Sequence, residues 1–227
     1  MPDWGPDGDR IVFVSYMAPP FPIETPFITG GRIEMATRAG GTWTVGASPL
    51  VTGGGNNYYP AFSPDGEWIV FSRSPSNMAN GGDDGAAGAG DAQLWVIRAD
   101  GSSPEVRLDT ADFPGDSWAK WDPTEYLDSG SNIFWVTWSS TRGFGLRWPD
   151  GGGSAQLWMA AFDESRAMAG EDPVLAAFRL PFQDAASGNH IAQWVTHIER
   201  LGCTDDIDCG GECCVDGRCY EEPPGPF

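Results

Sequence analysis

The side chains that could carry chemistry in this 227-residue chain fall into four groups. Five cysteines, Cys203, Cys209, Cys213, Cys214 and Cys219, crowd into residues 203–219, and none precedes them. A segment that short has no core of its own, so disulfides would have to replace one. An odd count leaves one thiol over. The adjacent Cys213 and Cys214 suit a zinc site poorly, because zinc ligands usually pair as Cys-x-x-Cys. The second group lies between Asn77 and Asp91, a Gly/Ala-rich stretch carrying Asp83, Asp84 and Asp91. Such carboxylates are hard oxygen ligands of the kind calcium takes. Their spacing matches neither an EF-hand nor the Gly-Gly-x-Gly-x-Asp repeat, so the plainer reading is a connection between strands. The third group is Trp135 to Trp148, in which Arg142, Phe144, Arg147 and Trp148 follow a run of strand-forming residues. Arginine beside aromatic rings is the composition of binding hot spots, and indole faces stack on sugars and cations. The competing reading puts Trp135 and Trp138 in the core and pairs Arg142 with an acidic neighbour. The last group is His190 and His197, which have no cysteine or carboxylate at zinc-ligand spacing.

Catalytic signatures are missing. The chain has no Gly-x-Ser-x-Gly nucleophile turn, no Gly-x-Gly-x-x-Gly and no P-loop. Carboxylates are plentiful, but no pair can be placed at the separation that glycoside cleavage needs. A non-enzymatic role is the expectation, with no cofactor, calcium aside.

Charge narrows the partners. Thirteen basic residues against 32 acidic ones give −19, which repels phosphate backbones and anionic lipid surfaces. A protein or glycan ligand is expected instead, with no nucleic acid and no membrane insertion. No run of 18 apolar residues occurs. Dense cysteines point to an oxidising compartment, yet the start at Met1-Pro2-Asp3 lacks a basic and then apolar leader. The expectation that reconciles these is that residue 1 is not the biological start.

What must position these groups is a repeat. Pro2-Asp3-Trp4-Gly5-Pro6-Asp7-Gly8 precedes Ile11-Val12-Phe13, and Pro60-Ala61-Phe62-Ser63-Pro64-Asp65-Gly66 precedes Ile69-Val70-Phe71. A third copy, Trp118-Ala119-Lys120-Trp121-Asp122-Pro123-Thr124, lacks the turn glycine and carries an insertion. A fourth start is read at His190-Ile191-Ala192-Gln193-Trp194. In each unit the Pro-Asp-Gly makes a tight turn, because Pro pre-sets φ, Asp accepts from the following backbone and Gly takes positive φ. The β-branched and aromatic run after it is apolar on both faces, as in a strand buried between sheets. Third strands follow at Arg32–Ala36, Gln93–Ile97 and Gln156–Ala160, and a polar outer strand at Pro104–Leu108. Four antiparallel strands per unit describe a propeller blade.

These strings, with Gln93-Leu94-Trp95-Val96-Ile97-Arg98-Ala99-Asp100-Gly101, resemble the Pro-Asp-Gly propeller repeats of the TolB type, relatives of WD-repeat propellers. The resemblance covers roughly residues 2–195. It implies a six- or seven-bladed, secreted or periplasmic bacterial scaffold that binds proteins. The tail resembles short extracellular cysteine-rich knobs of the colipase-like or dickkopf kind. The expected architecture is all-β: blades over 1–55, 56–115 and 116–183, a partial strand at 188–196, a disulfide-rich tail at 201–220 and a disordered terminus at 221–227. Three blades and one strand fall short of a closed ring, so a larger propeller or self-association through open blade edges is expected. The other functional reading is an accessory propeller of a hydrolase or lyase whose catalytic part is not in this chain.

Overall fold

The computed structural model describes residues 2–16, 28–79, 90–111, 113–124, 126–128, 131–146, 154–194, 213–215 and 218–220. The chain divides into two units, residues 1–194 and 195–227.

The first unit is all-β, built from three sheets of four-stranded antiparallel meander. The first runs β1 (Asp3–Trp4), β2 (Arg10–Ser15), β3 (Arg32–Ala39), β4 (Thr42–Val45), each strand paired with the next. The second repeats it as β5 (Asn56–Phe62), β6 (Trp68–Ser74), β7 (Gln93–Arg98), β8 (Val106–Arg107). In the third, β9 (Ser117–Trp121) pairs with β11 (Ser131–Ser140), then β12 (Gln156–Asp163) and β13 (Phe178–Arg179). The insertion expected there adds a strand, β10 (Tyr126–Asp128), on the start of β11.

Turn chemistry sets the register of the inner hairpins. Gly8 and Gly66 take φ of 73° and 70°. The Asp7 carboxylate accepts from Asp9 N at 2.8 Å, and Asp65 accepts from Glu67 N at 3.0 Å. In the third unit Asp122 still accepts from Thr124 N at 3.0 Å, but without a glycine the chain runs on into the β10 hairpin. The second strand of the middle sheet is buried on both faces because a sheet lies on each side of it. Every residue of β6 is buried. One core lies between the first and second sheets, from Val12, Ile33, Val51, Phe62, Ile69, Phe71 and Ile97. The other lies between the second and third, where Trp68, Val70 and Leu94 meet Trp121, Phe134, Trp138 and Phe162. Each large side chain so buried contributes about 1.5–3 kcal/mol, which is why this chain uses so many indoles. The outer strand of the second sheet is shorter than its sequence suggests, being confined to Val106 and Arg107.

Inner strands carry a feature absent from the sequence reading. Tyr59, Trp118 and Ile191 all have positive φ, 52°, 59° and 53°. Bulky residues seldom accept that conformation. Each stands three residues before an aromatic anchor, Phe62, Trp121 and Trp194. In β5 the register slips between Tyr58 and Ala61, and in β9 opposite Thr137 and Ser139, so the kink is a bulge that re-aims a side chain. Tyr59 and Trp118 then stack, ring centroids 3.7 Å apart. Residues 188–194 form no strand, yet they repeat this geometry against the third sheet. Ile191 N donates to Ser139 Oγ at 3.3 Å and Trp194 Nε1 to Thr137 Oγ1 at 3.0 Å. In the same way Trp121 Nε1 donates to Ala61 O of the sheet before it, at 3.1 Å.

In the second unit β14 (Cys213–Val215) pairs antiparallel with β15 (Arg218–Tyr220), with Cys214 opposite Cys219. Cys203 and Cys209 lie outside the described residues, as do 221–227.

Candidate functional site

Meander topology sends equivalent connections to one end of every sheet. The second-to-third-strand connections, residues 16–31, 75–92 and 141–155, all leave the same rim. They are longer than the turns at the opposite end of the hairpins, such as 5–9, 40–41 and 63–67. Buried asparagines stitch this rim together. Asn56 Oδ1 accepts from Gly31 N at 2.8 Å, while its Nδ2 donates to Ile28 O and Met78 O. One side chain on the second sheet's inner strand thus holds two rim connections. Asn77 Oδ1 accepts from Gly30 N at 2.7 Å, a direct link between the same two connections. Asn57 donates to Gly31 O and Gly53 O and accepts from Arg73 Nε at 2.7 Å. Gly55 has no room for a side chain, since a Cβ would sit 1.9 Å from Ser74 O.

Two arginines anchor the rim from below by the same device. Arg73, at the end of β6, pairs with Glu105 at 2.5 Å and lies 4.5 Å over Trp95. Arg142, just past β11, pairs with Asp116 and lies 4.9 Å over Trp158. Trp95 and Trp158 hold the same place in the two Gln-Leu-Trp third strands. Arg142 also donates to Ala111 O and Ser140 Oγ and approaches Trp138 and Phe113. Its side chain is 13% exposed and that of Asp116 0%. Burial pushes the Asp116 carboxyl up to about 7, against the pull of the Arg142 charge. Among the described residues, Asp116 Oδ1 and the indole N–H groups of Trp138 and Trp158 meet no hydrogen-bond partner.

The residues named from sequence therefore separate. Arg142 points inward to a buried carboxylate. Phe144 is half-buried against the core with the Arg179 guanidinium 4.2 Å over its ring. Arg147, Trp148, Asp83 and Asp84 lie outside the described residues. Asp91 closes a turn, accepting from Ser76 N at 2.9 Å. Partial burial works against its charge, but hydrogen bonds from Ser74 and Ser76 outweigh it and hold the carboxyl below its ordinary value. Among the described residues no three His, Cys, Asp or Glu side chains gather as a metal site. His190 lies in the segment tied to the third sheet. His197 lies outside the described residues.

Composition alone did not show what the rim exposes. Tyr16, Met78 and Leu146 each stand on a different long connection, and Phe113 on the link into β9 at the same end; all four are exposed. The signal was available in part, since each follows a strand terminus that the repeat defines. A separate cavity of about 590 Å³ opens between the first two sheets, lined by Met35, Thr44, Pro49, Leu50, Ala99 and Asp100 among others. It gathers no cluster of reactive groups.

The fold and rim define an all-β protein of propeller-type blades. No protein-family model matches the chain. Over 108 residues it is 32% identical to an uncharacterised protein of Agrobacterium fabrum (strain C58). The match takes in 48% of this chain and 28% of that protein, so the chain spans far less than the relative's length. Among solved structures it is similar to TolB from Acinetobacter baumannii, at 21% identity and TM-score 0.44, over 82% of this chain and 33% of that one. A structure assigned as TolB from Agrobacterium tumefaciens matches at 21% identity and TM-score 0.43, over 78% and 47%. The architecture rests on the sheets themselves, not on these scores.

Proposed function

We propose that this chain is a non-enzymatic, extracytoplasmic binding scaffold whose ligand, a protein or a glycan, docks on the rim of second-to-third-strand connections. The observation that carries the reading is the convergence of the three longest connections at one end, the first two of them cross-tied by Asn56, Asn57 and Asn77. A rim held this way presents its side chains on a rigid support, which lowers the entropy lost on binding. Exposed Tyr16, Met78, Phe113 and Leu146 supply apolar contacts, in surroundings acidic enough to turn away nucleic acid. Calcium, if bound, would belong to Asp83, Asp84 and Asp91 on the second connection, and a thermal shift in millimolar calcium tests that separately. The extracytoplasmic setting draws on the cysteine-dense tail and the TolB-like repeat.

The test is a glycan array together with a panel of purified candidate proteins, read with the unmodified chain and three variants. Binding that is lost in Met78→Ser and Leu146→Ser but kept in Met168→Ser, an exposed residue at the opposite end, supports the rim. Binding lost equally in all three, or kept in all three, rejects it.

A further inference from the structure

The spaces between neighbouring sheets are filled differently on the side away from the rim. β3 and β7 are equivalent strands: Arg10 is paired with Thr37 where Trp68 is paired with Arg98. Thr37 and Arg98 therefore hold the same place. Each stands two residues after a side chain, Met35 or Val96, that packs toward the next sheet, so each lies on that face. Between the second and third sheets the space is taken. The Arg98 side chain, 16% exposed, lies 5.5 Å over the Trp68 ring and pairs with Glu67. Its guanidinium also comes within 3.9 Å of Glu164 and of the Met168 sulfur. Those two belong to a helical turn, α1 (Glu164–Met168), that follows β12 of the third sheet.

Between the first and second sheets, a short and exposed Thr37 stands where the arginine would be. A tight turn at residues 99–101, closed from Gly101 N to Arg98 O at 2.9 Å, stands where the third sheet has α1. The cavity of about 590 Å³ is the space so left. Met35 and Leu50 line it with apolar surface, Thr37 and Thr44 face each other across the ladder with their hydroxyls, and Asp100 brings a carboxylate. Asp100 Oδ1 accepts from Ser102 N at 2.9 Å, and its Oδ2 lies 3.6 Å from Arg98, beyond hydrogen-bond distance. Hydrogen bonds from Ser102 hold its carboxyl below the ordinary value, so it is charged at neutral pH. Asp9, the first sheet's equivalent of Glu67, is already paired with Arg38. We propose that this cleft binds an alkyl guanidinium group, a ligand's arginine taking the place that Arg98 fills in the next space. The alkyl stem lies on Met35 and Leu50, and the guanidinium donates to Asp100. The volume suits a small ligand, and a chain at −19 draws cations toward it.

Titration of the isotope-labelled full chain, followed by the amide chemical shifts of Thr37, Thr44, Gly46 and Asp100, tests it. Agmatine carries the group on a free molecule, and N-acetyl-arginine amide carries it as a peptide does. N-acetyl-citrulline amide has nearly the same shape without the charge. Saturable shifts at about millimolar guanidinium are expected, with citrulline about tenfold weaker or more. Shifts with the arginine amide assign the site to arginine within a peptide, and shifts with agmatine alone to a free guanidine. D100N should weaken binding about tenfold. T37R supplies the arginine from the chain itself and should abolish binding, with a urea midpoint equal to or above that of the wild type. E171Q removes an exposed charge from the third sheet and should bind as the wild type does. No saturable shift with either guanidinium probe overturns the proposal. So does citrulline binding equal to arginine, or binding indifferent to D100N and T37R. An equal loss in E171Q overturns it as well, since net charge alone would then explain the attraction. None of these substitutions is on the rim, so ligand binding there is read independently.

Discussion

Replacing Arg142 with methionine tests whether the most distinctive arginine of the sequence is structural. Methionine keeps much of the packing on Trp138 and Trp158 but leaves Asp116 fully buried without its counter-charge. Breaking a buried ion pair by removing one partner costs about 3–5 kcal/mol. The sign with pH follows from Asp116. Its carboxyl ionises near 7 in the folded chain against an ordinary value of 3.8, so between those values the folded state holds more protons than the unfolded one. Stability from this group is therefore present in full below about 4 and is lost as pH rises through about 7, each unit of the window being worth about 1.4 kcal/mol. Without Arg142 the carboxyl moves higher still. At pH 5 it is protonated in the folded variant, and the cost falls to the lost hydrogen bonds, about 1–2 kcal/mol. At pH 8, one unit above the wild-type carboxyl's value, the cost is larger by up to about 1.4 kcal/mol. Urea unfolding followed by tryptophan fluorescence at both pH values measures the difference. R142M combined with Asp116→Asn should show a cost that no longer varies with pH. A loss under about 1 kcal/mol at pH 8, the same at pH 5, would refute the buried-pair account and return Arg142 to the rim surface.

Three further outcomes are expected. Gly55→Ala forces a Cβ against Ser74 O at a φ of 118°, so it should cost about 3 kcal/mol or more and loosen the Asn57 clamp, seen as a lower urea midpoint. Ile191→Gly should be neutral or raise stability by up to about 1 kcal/mol, because a β-branched residue at φ 53° is strained; a loss above about 2 kcal/mol would show that its packing outweighs the strain. Asp3 accepts from Phe62 N at 2.8 Å and pairs with Lys120 at 3.3 Å, joining the inner strands of all three sheets. Asp3→Ala should cost about 1–3 kcal/mol, and Lys120→Met less, since only the former leaves a backbone N–H unpaired; equal losses would contradict that ranking.

The sequence by itself determined the repeat. Pro-Asp-Gly, with the apolar runs at Ile11–Phe13 and Ile69–Phe71, specifies a turn and a strand through local backbone preferences and a side-chain period that any copy would show. It also offered a fourth anchor at Trp194, from the short string His190–Trp194, although the interval from Trp121 is longer than those between the earlier anchors. The site was less legible. Whether Arg142 faces solvent or Asp116 depends on two segments 26 residues apart meeting across a sheet, which no local pattern encodes. The positive φ of Tyr59, Trp118 and Ile191 was hidden for a related reason: their residue types argue against it, and only packing between neighbouring sheets imposes it. Equivalent residues also acquired opposite fates. Trp4 and Phe62 are the same position of the same motif, yet one is exposed and the other buried. Burial is a property of what lies across from a face, and tertiary structure alone supplies the neighbour.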